Sequence, residues 1–189
     1  MTDLPLDPIA IDVGSLVQRT VASLYSHLVT RPTGRAVRMA IENQIADAGR
    51  HALSLIDFSQ VAVLDFSCAD EVVAKLLQEY QDPAAPEAFF VFRGVRDPHR
   101  DPIEVVLLRQ ALAAVAETGP GRIELLGSVT DEEAGVWRRL EDRGLWSPEE
   151  IDEAHEVETL DRLVARRVAF RSPVSRRYHA LSRLVHHLL

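Results

Sequence analysis

The chain has 189 residues, of which 47% are hydrophobic and 26% charged, a composition typical of a folded globular protein and unlike a disordered one. Its formal net charge of −8 argues against nonspecific binding of nucleic acid or membranes by the whole surface. The single cysteine, Cys68, excludes an intramolecular disulfide and a cysteine-based zinc site. No apolar run reaches the ~20 residues that span a bilayer, and the N-terminus lacks a secretory signal, so we expect a cytoplasmic protein.

The first two thirds of the chain alternate between apolar runs typical of strands and segments with helical periodicity. We predict extended runs or strands over residues 9–13, 24–30, 53–58, 88–95 and 122–126, and helices over residues 35–48, 67–80 and 101–118. Turn residues separate these elements at 30–34, 82–87 and 119–121. Strands that alternate with helices predict the α/β class, with a largely parallel or mixed sheet.

A change of pattern after Gly127 predicts two domains, 1–127 and 128–189. Capping boxes at Thr130 and Ser147 predict a helix ending near residue 143 and a shorter helix ending near residue 154. The remaining prediction is a third helix over 156–167, short strands over 168–171 and 177–181, and a final helix over 182–189. Helices followed by a hairpin predict a small α+β unit.

Residues 55–77 read LIDFSQVAVLDFSCADEVVAKLL, which is a strand ending in Asp-Phe-Ser, a loop, and Ser-x-Ala-Asp-Glu at the start of an apolar helix. This order resembles the STAS-like domains of bacterial anti-sigma factor antagonists and of the cytoplasmic ends of sulfate transporters. The resemblance covers roughly residues 9–126. It implies a mixed sheet with helices, a protein partner, and a phosphorylated serine at Ser67 beside Asp65. The antagonist pattern is close to Asp-Ser-Ser-Gly, and here Phe66 and Cys68 replace its first serine and its glycine.

Ser67 also has a purely structural interpretation. Ser67 and Asp70 have the spacing of a capping box, in which a serine N-cap stabilises the helix by ~1 kcal/mol. A phosphate on Ser67 would be favoured by the helix dipole and opposed by the charges of Asp65, Asp70 and Glu71. Both interpretations stay open at the level of sequence. Asp70 and Glu71 are the predicted surface for a protein partner.

Residues 129–181, with three predicted helices and a hairpin, resemble a winged-helix domain. That resemblance implies a third helix in the DNA major groove and a wing on the phosphates. The candidate DNA-binding residues are Arg162, Arg166, Arg171, Arg176 and Arg177. Residues 155–189 carry three acids and seven arginines, which suits an anionic partner, but residues 131–154 carry nine acids and three arginines. The arginines could therefore neutralise neighbouring acids in a domain that binds protein instead.

The sequence thus predicts a non-enzymatic regulator in transcriptional or signalling control, in which a STAS-like α/β domain is coupled to a winged-helix domain. One alternative is a pure protein–protein adaptor that binds no DNA. Another is an enzyme that acts near Asp57, Asp65 and Ser67. No cofactor is predicted, and the scattered histidines predict no metal site. Pairing with a second copy of the chain is left open.

Overall fold

The computed structural model describes residues 7–12, 27–48, 51–82 and 84–185. Its strands are β1 (Asp7–Asp12), β2 (His27–Leu28), β3 (His51–Asp57), β4 (Val63–Leu64), β5 (Glu87–Arg93), β6 (Ala113–Gly119), β7 (Arg122–Gly127), β8 (Leu145–Trp146), β9 (Phe170–Arg171) and β10 (Tyr178–His179). Its helices are α1 (Arg31–Ala48), α2 (Phe66–Ala69, Asp70–Lys75 and Leu76–Gln81 in succession, the middle part π-helical), α3 (Asp97–Arg109), α4 (Asp131–Arg143), α5 (Ala154–Ala165) and α6 (Leu181–Val185). Over these ranges, no helix combines the length and the apolar character needed to cross a membrane.

The main sheet has the strand order β1–β3–β5–β6–β7. The first four strands run parallel to their neighbours, and β7 returns antiparallel to β6. Because the strand order advances in one direction, right-handed crossovers place α1, α2 and α3 on the same face of the sheet. The predicted α/β class with a mixed sheet is confirmed. The predicted runs at 9–13 and 24–30 lie partly outside the described residues.

The face that α1, α2 and α3 cover holds the larger hydrophobic core. Val37, Ile41 and Ile45 have the spacing of an apolar stripe along α1, and all three are buried. They belong to one cluster with inward residues of the sheet such as Ile56. The helix begins at Arg31, earlier than predicted, because a proline in the first helical turn has no intrahelical hydrogen bond to lose.

The largest correction to the predicted elements concerns residues 97–119. The predicted helix over 101–118 is wrong: α3 covers 97–109, and the alanine-rich segment after it is strand β6. Alanine favours helices, but the pairing of β6 with β5 on one side and β7 on the other outweighs that preference. The turn at 119–121, which was expected to end a helix, instead joins β6 to β7, and Gly121 supplies the positive φ of +67° that this turn requires.

Residues 128–185 cover the opposite face of the sheet. This second core combines sheet residues with residues of α4, α5 and the C-terminal strands, namely Leu53, Leu55, Phe89, Val91, Val115, Trp137, Leu140, Leu160, Leu163, Phe170 and Tyr178. The rings of Phe89 and Phe170 meet edge-on at 5.4 Å between centroids. Arg167 pairs with Glu87 across the same junction at 2.8 Å. The predicted boundary at Gly127 therefore separates two parts of the chain that share a core.

The C-terminal elements follow the predicted order with one shortening. The capping box at Thr130 forms and starts α4. The box at Ser147 also forms, but it starts only a 3₁₀ turn, Pro148–Glu150, because the chain is extended again at Ile151. β9 and β10 pair as the predicted hairpin, and β8 adds a third strand in the order β8–β10–β9. The final helix is described as far as Val185, and the rest of its predicted range lies outside the described residues.

Candidate partner-binding site at the start of helix α2

Three exposed apolar side chains surround the start of α2. The short strands β2 and β4 pair in parallel, with Leu28 opposite Leu64 and both side chains buried. The amide of Asp65 continues this pairing by donating to the carbonyl of Leu28 at 2.9 Å. Beside these buried leucines, Val29 and Val63 face solvent and are 45% and 41% exposed. Phe66, the first residue of α2, is 47% exposed. We call these three residues the apolar rim.

Asp65, not Ser67, caps helix α2. Oδ1 of Asp65 accepts the amide N–H of Cys68 at 2.8 Å and the hydroxyl of Ser67 at 2.9 Å. The expected capping box with Ser67 as N-cap is therefore wrong, because the helix starts at Phe66 and Ser67 lies inside its first turn. Asp65 and Ser67 are brought together as the resemblance implied, with the serine donating to the carboxylate.

This geometry predicts that the stability of the site depends on Asp65 more than on Ser67. Asp65→Ala removes the acceptor of one amide and one hydroxyl, so it should lower the free energy of unfolding by about 1–2 kcal/mol. Ser67→Ala leaves the bond from Asp65 to Cys68 intact and should cost about 0.5 kcal/mol or less. Urea unfolding of both variants beside the unmodified protein measures the difference. A larger loss for Ser67→Ala would contradict the assignment of the cap.

Glu71 is not a partner-facing residue, because it is only 2% exposed. Its carboxylate accepts hydrogen bonds from Arg31 at 2.9 Å, from Arg38 at 3.4 Å, and from Lys75. Burial alone would raise the pKa of Glu71, but hydrogen bonds from Lys75, Arg31 and Arg38 together hold that pKa below its usual value. Asp70 remains partly exposed, and Arg31 binds it at 2.6 Å. Of the two acids predicted for the partner surface, only Asp70 is accessible to solvent.

Close packing of α1 on α2 holds the site in place. The thiol of Cys68 is buried and donates to the carbonyl of Thr30 at 2.9 Å. Burial raises the pKa of this thiol to about 12, so it stays protonated and packs as a small core residue. A Cβ on Gly34 would lie 2.9 Å from Cα of Cys68, which shows how closely the two helices approach. The start of α2 is therefore held by close contacts with α1.

Three of the five arginines predicted to bind DNA form ion pairs with acids of the same chain. Arg162 pairs with Glu132 at 3.1 Å, Arg166 pairs with Glu133 at 2.8 Å, and Arg171 pairs with Asp161 at 3.0 Å. Glu132 and Glu133 lie on α4, in the acidic segment 131–154 that the neutralisation hypothesis concerned, whereas Asp161 lies on α5 outside that segment. Arg176 and Arg177 lie in the turn between β9 and β10, and both are exposed. Neither has an ion pair with another residue in the described part of the chain.

The exposed face of α5 is unsuited to the DNA major groove. Glu158 and Asp161 are exposed on it, and Glu156 is held by Arg139 of α4. Phosphates and base edges would meet these carboxylates at close range, and like charges repel. The helix that the winged-helix resemblance would place in the groove therefore carries the wrong charge for that position.

The two acids proposed for an enzyme site have separate structural roles. Asp57 ends β3 and accepts the amide N–H of Ser59 at 2.7 Å, which closes a tight turn. Asp65 caps α2, as described above. Across the residues that the structure describes, no group of three or more side chains could hold a metal ion. Each acid thus has a local partner that accounts for its position.

Sequence reasoning missed the apolar rim and the cations around Glu71. The signal for the rim was present in Phe66, a large apolar residue at the first position of a helix, where water would meet it. Lys75 lies four residues after Glu71, a spacing at which helical ion pairs form, whereas Arg31 and Arg38 lie far from Glu71 in sequence and no local pattern pointed to them.

Comparison with known proteins adds no relative from which a role could be transferred. No protein-family model matches the chain, and no curated protein or solved structure matches it either. The proposed function therefore rests on the contacts and exposure of this chain's own residues.

Proposed function

We propose that the protein is a non-enzymatic regulator that binds a protein partner through the apolar rim at the start of α2. In this proposal residues up to 127 form a STAS-like unit, and residues 128–185 form a winged-helix-like unit that serves as a protein-binding or structural element. The observation that carries the proposal is the exposure of three large apolar side chains, Phe66, Val29 and Val63, on segments that meet at the start of α2. Aromatic side chains of this kind supply much of the binding energy in protein interfaces.

The surroundings of the rim support a specific partner site. Charged residues border the rim along the chain. Asp65 directly precedes Phe66, and the ion pair of Arg31 with Asp70 joins positions shortly after Val29 and Phe66. Charged groups would therefore surround the apolar contacts with a partner. Interfaces commonly have this arrangement, in which an apolar centre is bordered by polar residues. The rigid packing of α1 on α2 also lowers the ordering cost of binding.

Phosphorylation of Ser67 would alter this site directly. The Ser67 hydroxyl donates to Asp65, and a phosphate has no proton to donate there near neutral pH. The added negative charge would also face Asp65, which is bound to the first turn of the helix. We propose that modification weakens the cap and changes the surface beside Phe66, which would make partner binding sensitive to phosphorylation.

Capture experiments with Phe66→Asp test the proposal. Aspartate in the first turn of a helix is favourable, so this variant should keep the stability of the unmodified protein. We expect it to retain about one tenth or less of the partner that the unmodified protein retains from an extract of the organism of origin. Leu108→Asp is the matched control, because Leu108 is 59% exposed on α3, on a separate element of the surface.

Three outcomes would contradict this function. The first is equal loss of the partner in the Phe66 and Leu108 variants, and the second is a set of retained proteins that Phe66→Asp leaves unchanged. The third is a mobility shift of host DNA that persists in Phe66→Asp and disappears when Arg176 and Arg177 are both replaced by alanine. That result would assign the function to DNA binding by the turn between β9 and β10. Intact-mass measurement of the native protein tests the phosphate separately.

A further inference from the structure

Strand β7 forms an edge of the main sheet, and no other strand of the described residues lies beside it there. The opposite edge, β1, contains Pro8, which has no backbone N–H to donate and so protects an edge from pairing with another chain. β7 has the sequence RIELLG, with neither proline nor lysine. Its acid, Glu124, is neutralised by Arg100 at 2.8 Å and does not repel a neighbouring strand. An edge without protection indicates a place where another strand can add.

The backbone of β7 has hydrogen-bonding groups that point away from β6. The amide of Ser128 donates to the carbonyl of Leu112 at 2.8 Å, which continues the β6–β7 ladder by one hydrogen-bonded pair. Along an antiparallel ladder, hydrogen-bonded pairs alternate with pairs whose N–H and C=O groups face outward. Ile123 and Leu125 each lie an odd number of positions before Ser128. Their N–H and C=O groups therefore face the open edge of the sheet.

A groove runs along this edge between β7 and helix α4. On the sheet side it is lined by Ile123 and Leu125, which are half-buried and pack against the second core. On the helix side, Arg138 and Asp142 lie one turn apart and are exposed. Neither of these two forms an ion pair with any residue that the structure describes. One face of α4 thus offers an unpaired cation and an unpaired anion beside the open strand.

These charges favour a second copy of the same chain as the occupant of the edge. In a two-fold symmetric contact a surface meets itself, so it must carry both signs of charge. Antiparallel pairing of β7 with its copy lays the two α4 helices side by side in opposite directions. Ile123 and Glu141 line the same groove, so pairing centred near Ile123 makes the helices meet between Arg138 and Asp142. Arg138 of each copy then lies opposite Asp142 of the other.

We propose that two copies of the chain associate through β7, so that the five strands of each copy form one continuous sheet. The outward N–H and C=O groups of β7 bond with those of the second copy. The side chains of Ile123 and Leu125 contact their counterparts on the face that carries α4, and Arg138 pairs with Asp142 across the two-fold axis. The apolar rim belongs to other elements, so dimer formation and partner binding can be tested separately.

Sedimentation equilibrium of the 189-residue chain tests the proposal. We expect monomers and dimers in exchange with a dissociation constant of roughly 1–100 µM, because the contact consists of one short strand and one helix face. Leu125→Pro removes an outward N–H but no hydrogen bond to β6, and it should raise this constant at least about tenfold. A chain that remains monomeric at about 500 µM would overturn the proposal.

Charge reversal on α4 tests the contact between the helices. Arg138→Asp sets two acids opposite each other and should weaken the dimer about tenfold or more. Adding Asp142→Arg to the same chain exchanges the two charges and should restore the affinity to within about threefold. Arg176→Asp, the same change of charge in the exposed turn between β9 and β10, is the matched control and should have no effect. These exposed positions keep the test informative even if Leu125→Pro fails to fold.

Three results would contradict this interface. A dimer that neither Leu125→Pro nor Arg138→Asp weakens does not form through β7. A dimer that Phe66→Asp alone dissociates forms through the apolar rim instead. Failure of the charge exchange to restore the affinity would overturn the antiparallel arrangement of the two α4 helices.

Discussion

A fragment ending at residue 127 should fail to fold on its own. Removing the rest of the chain would expose five large side chains of the sheet, Leu53, Leu55, Phe89, Val91 and Val115. Burial of such side chains is worth ~1.5–3 kcal/mol each, so the loss is about 10 kcal/mol. That loss is similar to the whole stability of an ordinary domain, ~5–15 kcal/mol. We expect the fragment to be insoluble, or to lack a cooperative thermal transition when followed by circular dichroism.

The control for this fragment is the same chain ending at residue 185, which keeps every described element. It should unfold cooperatively, like the 189-residue chain. A fragment 1–127 that unfolds cooperatively and shows a dispersed NMR spectrum would establish two independent domains. In that case the shared core contributes to docking and not to folding.

Phe89→Ala should lower the free energy of unfolding by about 3–5 kcal/mol. Phe89 is fully buried in the second core, and its ring contacts Phe170 edge-on and lies beneath the guanidinium of Arg167, 5.3 Å from the ring centroid. The substitution removes these contacts and leaves a cavity at the junction between the sheet and the C-terminal part. Chemical denaturation of the variant and the unmodified protein gives the difference directly.

Phe66→Ala is the matched substitution at an exposed position. Its ring is outside both cores, so stability should change by about 0.5 kcal/mol or less, while partner binding is lost. The two phenylalanines should therefore separate stability from function. Similar losses of stability in both variants would contradict the burial that distinguishes them.

Helices with capped ends and a clear apolar stripe were predictable from sequence. The stripe of α1 and the capping box of α4 use residues within a few positions of one another, so local rules describe them well. β6 was not predictable in this way. Its alanines favour a helix locally. The segment is a strand because it pairs with β5 and β7, and the sequence does not show which strands are neighbours in the sheet.

The candidate site was predictable in part. The resemblance pointed to Asp65 and Ser67, but it did not indicate which of them caps the helix, because a shift of two positions in the N-cap of α2 exchanges their roles. Burial of Glu71 depends on α1 packing across α2, a contact between residues far apart in sequence. The pairing of Arg162 and Arg166 with acids of α4 likewise depends on how α4 and α5 meet, and that of Arg171 with Asp161 depends on how β9 packs against α5.

The placement of α1, α2 and α3 on one face of the sheet has a consequence for biosynthesis. All five strands of the main sheet are outside the ribosome once β7 has emerged from it, yet one face of the sheet stays bare until α4, α5 and the last strands follow. At ~5–20 residues per second, that interval lasts several seconds. During it the nascent chain presents a wide apolar surface of the kind that chaperones bind. Ribosome-bound chains halted just after β7 should therefore depend on chaperones far more than completed chains do.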